Sequence, residues 1–339
     1  MGDFFVYLTF LLYLCMRFTI LMYNTVIKRI VLALVCLFVS IYMSAQETYL
    51  YAQRDTCALY LDIHRPAAGT QTDFQGVQKP AILYIFGGGF KSGARNEGYL
   101  LKWFRVLNDN GYAVVSIDYR LGMKGYKMGK GLAGVAKSVK QFKASQQIGV
   151  EDAFAAISFL EAHPELGIDV NNIVLSGNSA GAIISLACAH EIANGHTEGL
   201  PEHFAPKGVI SFAGGIISLN GAPSFDNPPC PILFFHGEED NAVAYKHVNA
   251  FGRGIWGSSY LAEKMKKKGY NYSIYRFKNR AHEVAAYMDR LWPEEQAFLE
   301  KNVMQSIPCI VDATVDNPSL PVWSSWGSLT PQKMYNGDL

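Results

Sequence analysis

The residues best suited to chemistry lie in NNIVLSGNSAGAIIS, residues 171–185, where Gly177-Asn178-Ser179-Ala180-Gly181 separates two apolar stretches. A serine hydroxyl is a weak nucleophile at neutral pH. To attack a carbonyl carbon it needs a base within hydrogen-bond reach, a group that orients the base, and donors aimed at the oxyanion that forms. NIVLS reads as a strand and AGAIISLACAHEIA as a helix, so the G-x-S-x-G run falls at a strand-to-helix junction. Gly177 and Gly181 leave out side chains where so tight a turn crowds the backbone. Such a turn lifts Ser179 above the sheet edge and points the positive end of the next helix at the developing charge.

Other strand ends supply the missing parts. LYIFGGGFKSG sets Gly87, Gly88 and Gly89 directly after an apolar run, where their backbone N–H groups read as an oxyanion hole. PILFFHGEEDNAV carries Glu238, Glu239 and Asp240; Asp240, set further into the loop, is the expected orienting acid, with Glu238 as the alternative. YSIYRFKNRAHEVAAY places His282 after the last such run as the expected base. The order Ser179, Asp240, His282 suits a nucleophile-elbow arrangement. His236, before Gly237, reads as a structural hydrogen bonder that shapes the acid loop. No zinc site is expected, because AHEVAAY has Ala286 where H-E-x-x-H needs its second histidine, and phosphate-loop and dinucleotide patterns are missing. No metal or cofactor is therefore expected.

These groups must be held by a scaffold. The chain has 339 residues, 50% of them hydrophobic, and a formal net charge of +1, enough for one well-buried domain. So even a balance gives no argument for nucleic acid or an anionic membrane surface as partner. CALYLDIHR, AILYIF, YAVVSIDY, NIVLSG, GVISFAGG, PILFFHG and YSIYRF read as strands. Helical patterns at 100–107, 150–163, 180–193, 259–268 and roughly 283–304 fall between them. The alternation predicts a mostly parallel central sheet with helices on both faces, a three-layer α/β/α sandwich, placed at residues 46–307.

Two segments fall outside that alternation. Residues 120–143 hold seven basic residues and no acidic one, and Leu132, Val135, Ala136, Val139 and Phe142 share a helix face. They read either as a solvated amphipathic helix or as a lid or cleft wall, with an insert at 122–147. Residues 308–339 look irregular and are expected to cover or extend the domain. At the other end, Lys28 and Arg29 precede IVLALVCLFVSIYM and then SAQE, the pattern of an export leader over residues 1–45 cut after Ala45; a second apolar run upstream suggests a true start at Met16 or Met22. The product is expected outside the cytoplasm, periplasmic or extracellular, with no stable membrane insertion once the leader is removed. Cys57, Cys188, Cys230 and Cys309 show neither metal-ligand spacing nor a C-x-x-C, and no disulfide framework is expected.

Taken together, FGGGF, SIDYRL, GNSAG, HGEEDNAV and AHE resemble the α/β-hydrolase superfamily, in particular its carboxylesterase and hormone-sensitive-lipase-like, acetyl-esterase-type branch, over roughly residues 57–304. The resemblance implies an oxyanion hole from the amides of Gly88, Gly89 and Ala180, an acid at Asp240 and a base at His282. It departs at Phe86, where the family usually has a histidine supporting the glycine loop. It implies a serine carboxylic-ester hydrolase acting through an acyl-enzyme on short acyl esters, small-molecule or glycan-linked, with acetyl or feruloyl groups on polysaccharides as examples. A peptidase of the same fold and a non-catalytic binding protein are the alternatives. The acyl and alcohol parts and the oligomeric state are not legible.

Overall fold

The computed structural model describes Leu11, Tyr13 and residues 47–323. The chain divides into a unit over Met1–Ala45 and a second over Gln46–Leu339. The expected leader lies almost wholly outside the described residues; Leu11 and Tyr13 are helical. Among the described residues no helix is long and apolar enough to cross a membrane.

The second unit begins with an antiparallel pair, β1 (Glu47–Gln53) and β2 (Ala58–His64), and a two-strand ribbon, β3 (Asp73–Phe74) and β4 (Val77–Gln78). Next come β5 (Ala81–Ile85), α1 (Gly98–Asp109), β6 (Val114–Ile117), α2 (Gly131–Ala162), β7 (Ile173–Asn178), α3 (Ala180–Ala193) and β8 (Gly208–Phe212). A small side sheet is built from β9 (Gly215–Ser218), β11 (His247–Ala250) and β12 (Arg253–Gly257); β10 (Ile232–Gly237) lies between β9 and β11 in the chain. The chain continues through α4 (Ser258–Lys268), β13 (Tyr272–Phe277), α5 (Trp292–Phe298) and β14 (Val311–Val315).

The central sheet has nine strands in the order β1-β2-β6-β5-β7-β8-β10-β13-β14. Pairing is antiparallel at β1-β2 and β2-β6 and parallel from β6 through β14, giving a mixed sheet flanked by helices. Every residue of β5, β6, β7, β8 and β10 is buried. That is why these strands read as unbroken apolar runs rather than alternating ones: helices cover both faces.

Differences from the sequence reading cluster at the edges. β1, β3, β4, β9, β11, β12 and β14 are additional strands; β1 and β14 are the two half-exposed edges of the central sheet, and β9, β11 and β12 make the side sheet. β14 lies in the stretch read as irregular; its alternating exposure marks it as an edge strand on β13. The helical pattern at 150–163 is the second half of one 32-residue helix, α2, about 48 Å long at 1.5 Å per residue. The pattern at 283–304 is broken into 3-10 turns at His282–Ala286 and Met288–Arg290, then α5, then a π turn at Leu299–Met304. Pro293 near the start of α5 has no N–H with which to continue a helix from upstream.

Candidate active site

Ser179 stands between β7 and α3 with φ 51° and ψ −118°, a backbone region costly for a residue with a Cβ. Its N–H donates to Phe212 O at 2.9 Å, and its carbonyl accepts the first turn of α3 from Ile183 N at 3.0 Å. The flanking glycines are obligatory. A Cβ on Gly177 would lie 2.4 Å from Gly181 C, and one on Gly181 would lie 1.9 Å from Ile85 O. The elbow thus depends on the direct approach of α3 to the end of β5.

The three residues expected from separate strand ends meet. The Ser179 hydroxyl donates to His282 Nε2 at 2.8 Å, and His282 Nδ1–H donates to Asp240 Oδ2 at 2.7 Å. A carboxylate only accepts, so the ring proton sits on Nδ1 and leaves Nε2 a lone pair for the hydroxyl. All three residues are buried, Ser179 at 7% exposure. Asp240 Oδ1 accepts from Ala242 N at 2.9 Å and Val243 N at 3.0 Å, which fixes the carboxylate plane. Burial raises the Asp240 proton affinity, but the positive charge His282 carries when protonated and hydrogen bonds from His236 and His282 outweigh it and hold the carboxyl well below the usual range. Glu238, the alternative acid, is exposed.

His236 is more than a distant support of the acid loop. It is fully buried, with Nε2 3.2 Å from Asp240 Oδ2 and 3.0 Å from Val243 O. Both neighbours are acceptors, so Nε2 carries a proton and Asp240 is shared between two histidines. His236 Nδ1 lies 2.8 Å from Ser258 Oγ at the start of α4, and that hydroxyl also reaches Gly214 O at 3.1 Å. Asn178 joins the two loops of the site: it accepts from the Tyr84 hydroxyl at 2.7 Å and donates to Ala285 O at 3.1 Å.

The glycine loop has a support in place of the missing histidine. The Tyr119 hydroxyl lies 3.1 Å from Phe86 O and 3.3 Å from Gly87 O, and its ring stacks on Phe86 at 4.6 Å between centroids. Lys91 N and Ser92 N both donate to Gly88 O at 3.1 Å. A Cβ on Gly88, at φ 103°, would lie 2.0 Å from Ser92 O, so the loop turns back too tightly for any other residue. Gly89 and Ala180 line the same cavity as Ser179, and exposed Gly88 adjoins Gly89. The tyrosine's part could not be read from SIDYRL, because it depends on a contact 33 residues away in sequence.

Ser179 opens onto an apolar cavity of about 250 Å³. One wall is α2, through Val135, Val139 and Phe142 of the basic segment; Ile183 of α3 lies beside the serine, and Ile217, Val248 and Ile255 come from the side sheet. Two buried contacts seat α2. Asp152, fully buried, accepts from Arg120 Nε, Arg120 N and Arg54 Nε at 2.9–3.1 Å. Gln146 closes a two-way bond with Ile217, accepting its N–H at 2.8 Å and donating to its carbonyl at 3.3 Å. Cys57, Cys188, Cys230 and Cys309 are all free thiols.

A model of the carboxylesterase family matches residues 36–200. Secreted lipase 5 of Gibberella zeae is 28% identical over 142 residues, 42% of this chain and 24% of the lipase. Chlorogenic acid esterase of Aspergillus niger is 30% identical over 149 residues, 42% of this chain and 26% of that enzyme. The chain spans about a quarter or less of the length of the curated relatives it matches. A thermophilic esterase from the Planctomycetes species Thermogutta terrifontis, solved with propionate bound, superposes with a TM-score of 0.52 at 23% identity, covering 76% of this chain and 95% of that one. The chain thus carries an α/β-hydrolase-like fold, a mixed central sheet between helices in a three-layer α/β/α sandwich.

Proposed function

We propose that the protein is a serine carboxylic-ester hydrolase working through an acyl-enzyme. The observation that carries the reading is the continuous Ser179–His282–Asp240 chain, at 2.8 and 2.7 Å, opening onto an apolar cavity. His282 Nε2 takes the hydroxyl proton as Ser179 Oγ bonds to the ester carbonyl carbon. The oxyanion is met by the amides of Gly88, Gly89 and Ala180, and losing one such donor typically costs about 3 kcal/mol. The tetrahedral species collapses by breaking the bond to the alcohol oxygen, which leaves with the proton from His282. Water, deprotonated by the same ring, then attacks the acyl-enzyme and frees Ser179 and the acid. Asp240 holds the Nδ1–H tautomer throughout.

Short acyl esters, such as acetyl or feruloyl groups on polysaccharides, are the substrates the family resemblance implies, and the partial likeness to a chlorogenic acid esterase supports an ester substrate. Export, with residues 1–45 as a removed leader, rests on the basic and apolar run ending at Ala45. The test is turnover of aryl esters from acetyl to octanoyl by the protein and by Ser179→Ala. Loss of about six orders of magnitude in kcat with unchanged melting temperature supports the assignment. Equal turnover by the variant removes Ser179 as nucleophile, and no turnover by either protein turns the reading towards peptide substrates or a binding role.

A further inference from the structure

The rim of the cavity has a composition that ester hydrolysis does not require. Of all large apolar side chains among the described residues, the three most exposed are Phe251 at 99%, Leu132 at 86% and Val248 at 67%. Val248 lines the cavity from the side sheet. Leu132 lies one turn before Val135, which lines it from α2 while itself 45% exposed. Phe251 forms the tip of the β11–β12 hairpin. Ala250 pairs with Arg253, so Phe251 and Gly252 are the two central turn residues, with φ of 51° and 73°. That mirror-image turn favours Asn-Gly or Gly-Gly. A phenylalanine there is strained and fully solvated, and a local rule broken without a folding gain points to function.

Charge at the rim is equally one-sided. The chain as a whole is balanced, with 30 Lys and Arg against 29 Asp and Glu. Two of the segments that line the cavity, residues 120–143 and 244–257, hold nine Lys and Arg and no acid, while the acid loop between them carries exposed Glu238 and Glu239. Arg120 and Lys143 are paired with Asp152, Glu151 and Glu191. The other seven, five lysines at 124, 127, 130, 137 and 140 with Lys246 and Arg253, are exposed and form no ion pair among the described residues.

We propose that this rim is a docking face for an anionic lipid–water interface, with Phe251, Leu132 and Val248 entering the acyl boundary and Lys130, Lys246 and Arg253 beside them meeting the headgroups. Apolar side chains among free cations match a surface that is anionic outside and apolar beneath. An acidic glycan would leave Phe251 and Leu132 uncovered. A two-fold contact with a second copy would set Lys130, Lys246 and Arg253 against like charges. The docking does not depend on the esterase reading. If both hold, the esters reached are those presented at such an interface.

The test is sedimentation of the full chain with phosphatidylglycerol and with phosphatidylcholine vesicles, alongside Phe251→Asp and Lys130→Glu/Lys246→Glu. Whatever residues 1–45 contribute is common to all three proteins and cancels in the comparison. The expected result is a clear preference for phosphatidylglycerol, lost in high salt, with binding about tenfold weaker for Phe251→Asp and at least about 25-fold weaker for the double variant. Melting temperatures equal to the parent show that the variants fold. Binding unchanged in the variants, or equal on the two lipids, overturns the proposal. So does a dimer that Phe251→Asp dissociates, because the face is then covered by a second copy.

Discussion

Asp240→Asn tests the geometry more sharply than deletion of the serine. The carboxylate meets four donors and no acceptor: Ala242 N and Val243 N at Oδ1, His282 Nδ1 and His236 Nε2 at Oδ2. An asparagine cannot satisfy all four. Its oxygen must stay on the two backbone N–H groups, whose positions are fixed, so its NH2 turns towards the histidines. His282 Nδ1 must then accept, its proton moves to Nε2, and Nε2–H points at Ser179 Oγ, where a base is needed. A wrong tautomer of this kind costs about 10⁴ in kcat, or about 5.4 kcal/mol of transition-state stabilisation, with little change in substrate binding. The assay is steady-state turnover of a soluble aryl ester at pH 8, with kcat and KM separated and melting curves in parallel. A variant within tenfold of the parent kcat refutes the reasoning. Retained activity here together with loss in Glu238→Gln would move the acid to an exposed residue that the structure keeps off His282.

Two further outcomes are expected. Tyr119→Phe removes the hydroxyl that lies 3.1 Å from Phe86 O and 3.3 Å from Gly87 O; kcat should fall about fivefold while KM holds, and an unchanged kcat would show that the loop needs no such support. Glu295 is fully buried, one oxygen accepting from Trp103 Nε1 at 2.9 Å and the other without a partner, and burial pushes its carboxyl well above the usual range. A raised folded-state value means that the native chain holds an extra proton above about pH 4.3, so stability from this site is full below that pH and declines as pH rises through the folded-state value. Glu295→Gln should therefore raise the melting temperature at pH 8 by about 2–4 °C and leave it nearly unchanged at pH 4; equal effects at both pH values would count against a protonated Glu295.

The site was legible in the sequence to the extent that its parts sit at the ends of buried strands. NIVLS, AILYI and PILFF are apolar because both faces are covered, and the polar or glycine residues that follow them stand out. Asp240 could be preferred over Glu238 from its place in the loop, and it is the buried residue of the two. Contacts between distant segments left no local trace. Tyr119 under the glycine loop, His236 against Asp240 and Gln146 on Ile217 are of this kind. The edge strands were missed because a half-exposed run such as VDATV carries too few apolar residues to separate it from a loop. Net charge misled in another way: a total of +1 averages over the molecule, and the basic rim is offset by acidic residues elsewhere.

The tie through Asn178 also bears on when the site comes into being during synthesis. The hydrogen bonds that assemble it bridge 42, 94, 103 and 107 residues of chain. Contacts so far apart in sequence close late in folding. A chain emerging amino end first presents the serine elbow long before His282 and Ala285 exist to meet it. Until β13 adds to the sheet and carries the histidine loop into place, Ser179 is an ordinary alcohol, so the hydrogen-bonded chain that activates it is completed in one step, only after the segment through Ala285 has been made.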